Sequence, residues 1–105
     1  MSDACEAFER TAIQVLRHAL VANQSSFERA GVRWELLDIR RSGETGPSYE
    51  SEIGAYFWRD KNVVDALEFA IYRGDRPLFS EQDLSAWIEA AILDVLRRAG
   101  VPTPQ

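Results

Sequence analysis

The chain has 105 residues, of which 46% are hydrophobic and 28% charged, and residues 1–105 are predicted to form one globular domain. Its net charge of −5 excludes the Lys/Arg stripe by which proteins neutralise phosphates, so no nucleic acid and no membrane is predicted as a partner. The single cysteine, Cys5, cannot form an internal disulfide and fits a reducing compartment. Residues 1–10 lack the basic and apolar regions of a signal peptide, and the predicted location is cytoplasmic.

Residues 3–23 are predicted to form a long amphipathic helix, because apolar side chains recur at helical spacing. Ser25 and Glu28 have the spacing of a capping box, so an extra helical turn is expected at 26–30. Gly31 is the expected end of that turn. The apolar positions of the long helix are Cys5, Phe8, Ala12, Val15, Leu16, Ala19 and Leu20.

Residues 32–41 are predicted to form the first strand, whose register the sequence leaves open. Val32, Trp34 and Leu36 share one face. Leu37 and Ile39 share the other face. Either a bulge switches the faces within the strand, or both faces are partly covered. The Gly- and Pro-containing residues 42–49 are predicted to form a loop.

Residues 50–60 and 63–73 are predicted to form a long β-hairpin, because apolar residues alternate with others along both arms. Directly opposed residues of an antiparallel pair point to the same face. The two apolar sets therefore meet only if the numbers of paired residues add up to an even value, and a sum of 124 is predicted. That register pairs Phe57 with Leu67, Ala55 with Phe69, Ile53 with Ile71 and Arg59 with Asp65.

Residues 81–99 are predicted to form the last helix, with Ser80 as its cap and Asp83 at capping-box distance. Gly100 ends the helix, and residues 101–105 are expected to form a loose tail. Its apolar stripe comprises Leu84, Trp87, Ile88, Ala91, Ile92, Val95 and Leu96.

The predicted element order is α-β-β-β-α, which indicates an α+β fold: a three-stranded antiparallel meander with two helices packed on one face. Two helices of ~10 Å diameter are wider than three strands at ~4.8 Å spacing. The mismatch favours a strongly twisted sheet or one that a partner extends.

The element order is similar to that of the double-stranded-RNA-binding domain, although the similarity is one of topology alone. The basic cluster with which that family contacts RNA would fall at residues 80–84. Those positions hold Ser, Glu, Gln, Asp and Leu, which have the wrong charge for phosphate. The family's function is therefore not expected here.

No catalytic residue, metal site or cofactor is predicted, and the chain is not expected to be an enzyme. His18 is the only histidine, and with one cysteine it cannot assemble a zinc site. Cys5 is expected to be a buried structural thiol. Glu52 and Glu68 are expected on an open sheet face, whereas paired catalytic carboxylates lie in a pocket.

The outer face of the hairpin, directed away from the helices, carries the residues predicted to bind a partner. Aromatic and acidic side chains are expected there, with Trp34 joining them in one of the two registers of the first strand. Tyr and Trp are over-represented at interfaces, although such rings also suit any half-exposed sheet. The predicted partner-binding residues are Trp34, Glu52, Tyr56, Trp58, Glu68 and Tyr72.

These observations predict a non-catalytic, acidic interaction module that self-associates as a homodimer or binds a protein partner through the open sheet face or its edge. One alternative is an immunity-type inhibitor that masks a basic toxin or enzyme, since acidic faces complement basic targets. A second alternative is a small-ligand binder or minor enzyme with a pocket near the loop at 42–49.

Overall fold

The computed structural model describes residues 3–43 and 46–102 and shows the predicted α+β fold. The order of helices and strands is broadly as predicted, but the antiparallel sheet has more than three strands. Strand β3 lies between β1 and β4, β2 also pairs with β3, and β5 pairs with β4. The elements are α1 Asp3–Ala22, α2 Gln24–Ala30, β1 Arg33–Leu36, β2 Arg40–Ser42, β3 Glu50–Arg59, β4 Asn62–Arg73, β5 Arg76–Pro77 and α3 Glu81–Arg98.

The helices begin and end where local chemistry favours it. Gly31 ends α2 in a left-handed conformation with φ 68°, which a residue without a Cβ adopts easily. Ser80 is the cap of α3, and its side chain accepts a hydrogen bond of 3.1 Å from the Asp83 backbone N–H, as predicted. Within the part of the chain that the structure describes, no helix is long and apolar enough to cross a membrane.

Helices α1 and α3 pack against each other, and their apolar stripes enclose the core with one face of the sheet. The Phe27 and Phe57 rings stack at 5.5 Å between α2 and β3. Burial of these apolar surfaces supplies the main stabilisation of the fold. The largest buried apolar side chains are Phe27, Phe57, Leu16, Leu20, Ile71, Leu84, Ile88, Ile92 and Leu96.

The predicted first strand is divided into β1 and β2. Of the two alternatives for this strand, the one in which a bulge switches the faces within the strand is correct. Trp34 opposes Phe57 and therefore faces the helices. Arg40 opposes Glu52, which means that residues 37–39 lie opposite only two residues of β3. This extra residue switches the faces at the midpoint of the segment.

The predicted hairpin register is wrong by two residues. Ala55 opposes Leu67, and the numbers of paired residues add up to 122 through the middle of the hairpin. The turn has two residues, Asp60 and Lys61, whereas a sum of 124 would leave the three residues 61–63 in the turn. Asp60 adopts a positive φ of 56°, which closes a two-residue turn. Because 122 is also even, the predicted faces hold in the middle of both arms.

Two bulges change the faces near the ends of β4. Val64 is the extra residue of one bulge and Ile71 of the other. Beyond Ile71 the register moves by one, so that Tyr72 opposes Ser51 and both side chains are buried. The prediction that Tyr72 lies on the outer face is therefore wrong. Its ring packs against Phe8 at 6.2 Å.

Candidate functional site

Four of the six predicted partner-binding residues come together on the outer face of the sheet. Glu52 and Glu68 lie towards one end, and Tyr56 and Trp58 lie towards the hairpin turn. Tyr72 is in the core. Trp34 faces the helices, and its indole N–H donates a hydrogen bond of 2.7 Å to the Gln24 side chain.

The charged half of the outer face is an ion-paired group formed by Arg40, Glu52 and Glu68. Arg40 Nη2 lies 3.1 Å from Glu52 and 3.2 Å from Glu68. The hydrogen bond to Glu52 and the charges of both carboxylates raise the pKa of Arg40. Exposed pairs of this kind add little stability, but they reduce the negative field of the two carboxylates.

The apolar half of the outer face consists of Tyr56, Trp58, Val63 and Ala66. Val63 opposes Trp58 across the hairpin, and Ala66 opposes Tyr56. The Trp58 indole N–H donates a hydrogen bond of 3.1 Å to Glu35, which holds the half-buried ring against the sheet. Val63 is 46% exposed. The result is a fixed aromatic surface that a partner can contact without first ordering it.

Among residues 3–43 and 46–102, no strand pairs with the outer edge of β4 over most of its length. Strand β5 pairs only with Tyr72 and Arg73, and one further bond joins Leu78 N–H to Ile71 C=O at 2.9 Å. Residues 62–70 therefore form a free edge, here called the β4 edge. A row of unpaired backbone groups of this kind is a template for another strand.

The hydrogen bonds of the sheet show which backbone groups the β4 edge presents. Leu37 N–H donates to Gly54 C=O at 3.0 Å, so Gly54 directs its backbone groups towards the first strand. Its partner on β4, Glu68, consequently directs its N–H and C=O away from β3. The same holds for Ala66, which opposes Tyr56.

Exposed apolar side chains are concentrated beside the β4 edge. Six large ones are exposed among residues 3–43 and 46–102, and four of them belong to β4, to the segment after β5 or to the adjoining turn of α3. Trp87 is predicted to lie in the core stripe of α3, but it is 40% exposed, and its ring packs against Phe69 in a tilted arrangement with the ring centroids 4.3 Å apart. The four side chains are Val63, Val64, Leu78 and Trp87.

A buried polar cluster, which the sequence analysis missed, lies on the opposite side of the sheet. Glu9 is 1% exposed and accepts hydrogen bonds from Tyr49 Oη and from Arg41, whose Nη2 lies 3.0 Å away. The buried Ser51 hydroxyl lies near this carboxylate but makes no well-formed hydrogen bond within the described ranges. The signal was present in the sequence, because Glu9 occupies a core position between Cys5 and Ala12 on the apolar stripe of α1.

The pKa values of the cluster follow from burial and pairing. Burial acts to raise the pKa of Glu9, but hydrogen bonds from Tyr49 and Arg41 and the charge of Arg41 outweigh it, and the pKa is lowered. Burial and the hydrogen bond to Glu9 raise the pKa of Tyr49 to about 12. Burial and the charge of Glu9 raise the pKa of Cys5, which is a buried thiol as predicted.

The arrangement of this cluster suits a structural role. Both carboxylate oxygens of Glu9 are held by the chain itself, and the group connects α1 to β2 and to the residue before β3. A thiol with a raised pKa carries little thiolate at neutral pH and is a weak nucleophile. The cluster therefore works as an internal clamp.

Two concave regions lie among the helices. A groove of about 480 Å³ runs between α1 and α3 and is lined by His18 and Leu93 among others. A cavity of about 280 Å³ contains Arg59 and Arg98. Both guanidinium groups already have partners, since Arg59 bonds the C=O of Ala30 and Arg98 lies 2.8 Å from Asp65. Neither region gathers groups that indicate a reaction.

Comparison with known proteins identifies no relative of this chain. None of the family models, curated proteins and solved structures matches the chain significantly. A function for the chain is therefore inferred from the geometry of the outer face and the β4 edge.

Proposed function

We propose that this chain is a non-catalytic interaction module that binds a protein partner through the β4 edge and the adjoining apolar half of the outer face. The observation that carries the proposal is the free edge at residues 62–70 with exposed apolar side chains along it. Unpaired backbone groups supply affinity in strand addition, and the side chains beside them supply specificity.

The positions of the helices support the same surface. Helices α1 and α3 cover one face of the sheet, so a partner strand on β4 would extend the sheet without displacing either helix. The partner would also meet Val63, Trp58 and Tyr56 beside the hairpin turn. Aromatic side chains at the centre of an interface contribute a large share of the binding energy.

The two other hypotheses have less support. An inhibitor of a basic protein would use an acidic face, but Arg40 pairs with both Glu52 and Glu68 on this face. A ligand pocket near the loop at 42–49 would include residues 44–45, which lie outside the described residues. The described neighbours Arg41 and Tyr49 are engaged with Glu9.

Val63→Glu tests the proposal against the matched control Val21→Glu. Both valines are exposed, at 46% and 56%, but Val21 lies on α1 and outside the sheet. We expect Val63→Glu to weaken association roughly tenfold or more, because it places a charge in the interface, and Val21→Glu to leave association unchanged. Light scattering after size exclusion detects self-association, and capture by the immobilised chain from soluble cell extract detects other partners.

Equal association of the two variants with copies of the chain and with captured proteins would contradict the proposal. The proposal is also contradicted if the wild-type protein does not self-associate and captures no protein whose capture is lost in Val63→Glu. Circular dichroism melting of both variants controls for folding, and we expect similar midpoints because both sites are exposed.

A further inference from the structure

We infer that the groove between α1 and α3 binds a small molecule with one ammonium group and a short apolar body. The volume of the groove is about 480 Å³, which lies within the range of roughly 300–1,000 Å³ found for small-molecule sites. The groove belongs to the two helices and the β4 edge belongs to the sheet, so this site is separate from the surface of the proposed function.

The floor of the groove is apolar. Val15, Ala19 and Ala22 recur at helical spacing on one face of α1, and Ala19 is 7% exposed. Leu93 of α3 adds a large apolar side chain that is 38% exposed. An apolar body on this floor would cover surface that the fold leaves in contact with water, which is favourable.

The wall formed by α3 changes from polar to apolar along the groove. Ser85, Glu89 and Leu93 follow one another at four-residue intervals, so they lie on one face of the helix with a rise of about 6 Å between neighbours. Glu89 therefore lies between a hydroxyl group and an apolar side chain. A ligand whose charged end contacts Glu89 can direct its apolar body towards Leu93.

The Glu89 carboxylate determines the sign of the ligand's charge. With histidine counted as neutral at pH 7, it is the only charged group among the described residues that line the groove. Within residues 3–43 and 46–102, no ion pair includes Glu89. An ammonium group is attracted by this carboxylate and by the net charge of −5, whereas a ligand carboxylate is repelled.

Three further polar side chains of the groove can contact the ligand. Gln14 and His18 of α1 and Ser85 of α3 make no side-chain hydrogen bond in the described part of the chain. An ammonium group has three N–H donors, and these side chains can accept hydrogen bonds from it without losing another partner. A few polar groups beside an apolar floor are typical of small-molecule sites.

The exposed side chains favour a small molecule over a partner helix. A helix binds in a groove through several apolar anchors spaced along its length, and these need exposed apolar surface on the other side. Among the described lining residues, Leu93 is the only large apolar side chain that is exposed. A stable protein interface buries at least about 1,200 Å² in total, which one leucine and a recessed floor do not provide.

Titration of the isotope-labelled chain with hexylamine, hexanol and hexanoate, followed by nuclear magnetic resonance, tests the inference. The three probes share one apolar body and differ in charge. We expect hexylamine to shift the amide signals of the groove residues in a saturable manner. Hexanol should bind roughly fivefold more weakly, and hexanoate more weakly still, because neither forms an ion pair with Glu89.

Glu89→Gln and the matched control Glu81→Gln distinguish the groove from general attraction of a cation to an acidic chain. Both glutamates are exposed on α3, but Glu81 does not line the groove. We expect Glu89→Gln to weaken hexylamine binding roughly fivefold and to leave hexanol binding unchanged. Glu81→Gln should change neither.

Ala22→Trp tests the apolar floor by filling the groove. The substitution places a ring in the groove, and we expect it to weaken the binding of hexylamine and of hexanol about tenfold. Val21→Trp is the control, because Val21 is exposed on the same turn of α1 and does not line the groove. Circular dichroism melting checks that both variants fold.

Saturable shifts in the groove with the expected order of affinities, and with the advantage of hexylamine lost in Glu89→Gln alone, would support the inference. Equal affinities for hexylamine and hexanol, unchanged binding in Ala22→Trp, or no saturable shift would overturn it. Groove shifts that appear as the concentration of the chain alone is raised would make a second copy the occupant. Capture of a protein that Ala22→Trp loses would make a protein the occupant, and either result would overturn the inference.

Discussion

Arg41→Met is expected to lower the free energy of unfolding by about 2 kcal/mol. The substitution leaves the Glu9 carboxylate buried, with Tyr49 as its remaining strong donor. Removing one partner of a fully buried ion pair costs about 3–5 kcal/mol. The expected loss is smaller because the Arg41 side chain is 43% exposed, so that water can replace part of its interaction. Urea denaturation at pH 7 measures the change.

The pH dependence of stability is expected to weaken in the same variant. In the wild type the pKa of Glu9 is lowered, so the ionised carboxylate adds stability above its unfolded pKa of about 4.3. This contribution is lost as pH falls through the folded-state pKa. Without Arg41 the pKa of Glu9 should rise towards its unfolded value, because the hydrogen bond and the charge of Arg41 no longer oppose the effect of burial, so less stability should be lost as pH falls.

The double variant Arg41→Met with Glu9→Gln separates the clamp from simple loss of packing. A neutral amide at position 9 needs no cation, so we expect the double variant to recover at least about 1 kcal/mol relative to Arg41→Met alone. Additive losses in the double variant would show that Arg41 does not act through the Glu9 charge.

Gly54→Ala is expected to cost about 3 kcal/mol, the upper end of the usual range for overpacking. A Cβ at this position would lie 2.4 Å from the Leu67 C=O oxygen and 3.1 Å from the Glu68 Cα, and neither backbone atom can move without disturbing the hairpin. The close approach of β3 and β4 at this point therefore requires glycine.

Gly31→Ala is the matched control for this prediction. Gly31 has a positive φ of 68° but no heavy atom within 4 Å of a new Cβ, so only backbone strain of about 1 kcal/mol is expected. Thermal or urea denaturation of the two variants gives the difference. Equal destabilisation would show that the contact at Gly54 relaxes easily.

The layers of the fold were predictable because they depend on periodicity. The apolar stripe of α1 and the even pairing sum of the hairpin are properties of residue spacing. The stripe holds in the structure, and the even sum holds between the two bulges. Two even registers differ by two residues and bury the same faces, so alternation cannot separate them. The turn decides between them, and Asp60-Lys61 lacks the Asn-Gly or Asp-Gly signal of a two-residue turn.

The candidate site was predictable only where the strands are regular. Tyr56 and Trp58 follow the alternation of β3 and lie on the outer face. Tyr72 follows the bulge at Ile71, and no residue type in β4 marks that bulge. Trp87 fits the helical stripe of α3, but its ring lies beside Phe69 and remains 40% exposed.

Amide hydrogen exchange at Glu68 tests the use of the β4 edge most directly. The Glu68 N–H is directed away from β3, whereas Leu67 opposes Ala55 within the ladder and should be protected at every concentration. We expect the Glu68 amide to exchange quickly in dilute protein and to become strongly protected as the concentration is raised through association. Association that leaves Glu68 exchange as fast as in the dilute chain would contradict pairing through the β4 edge.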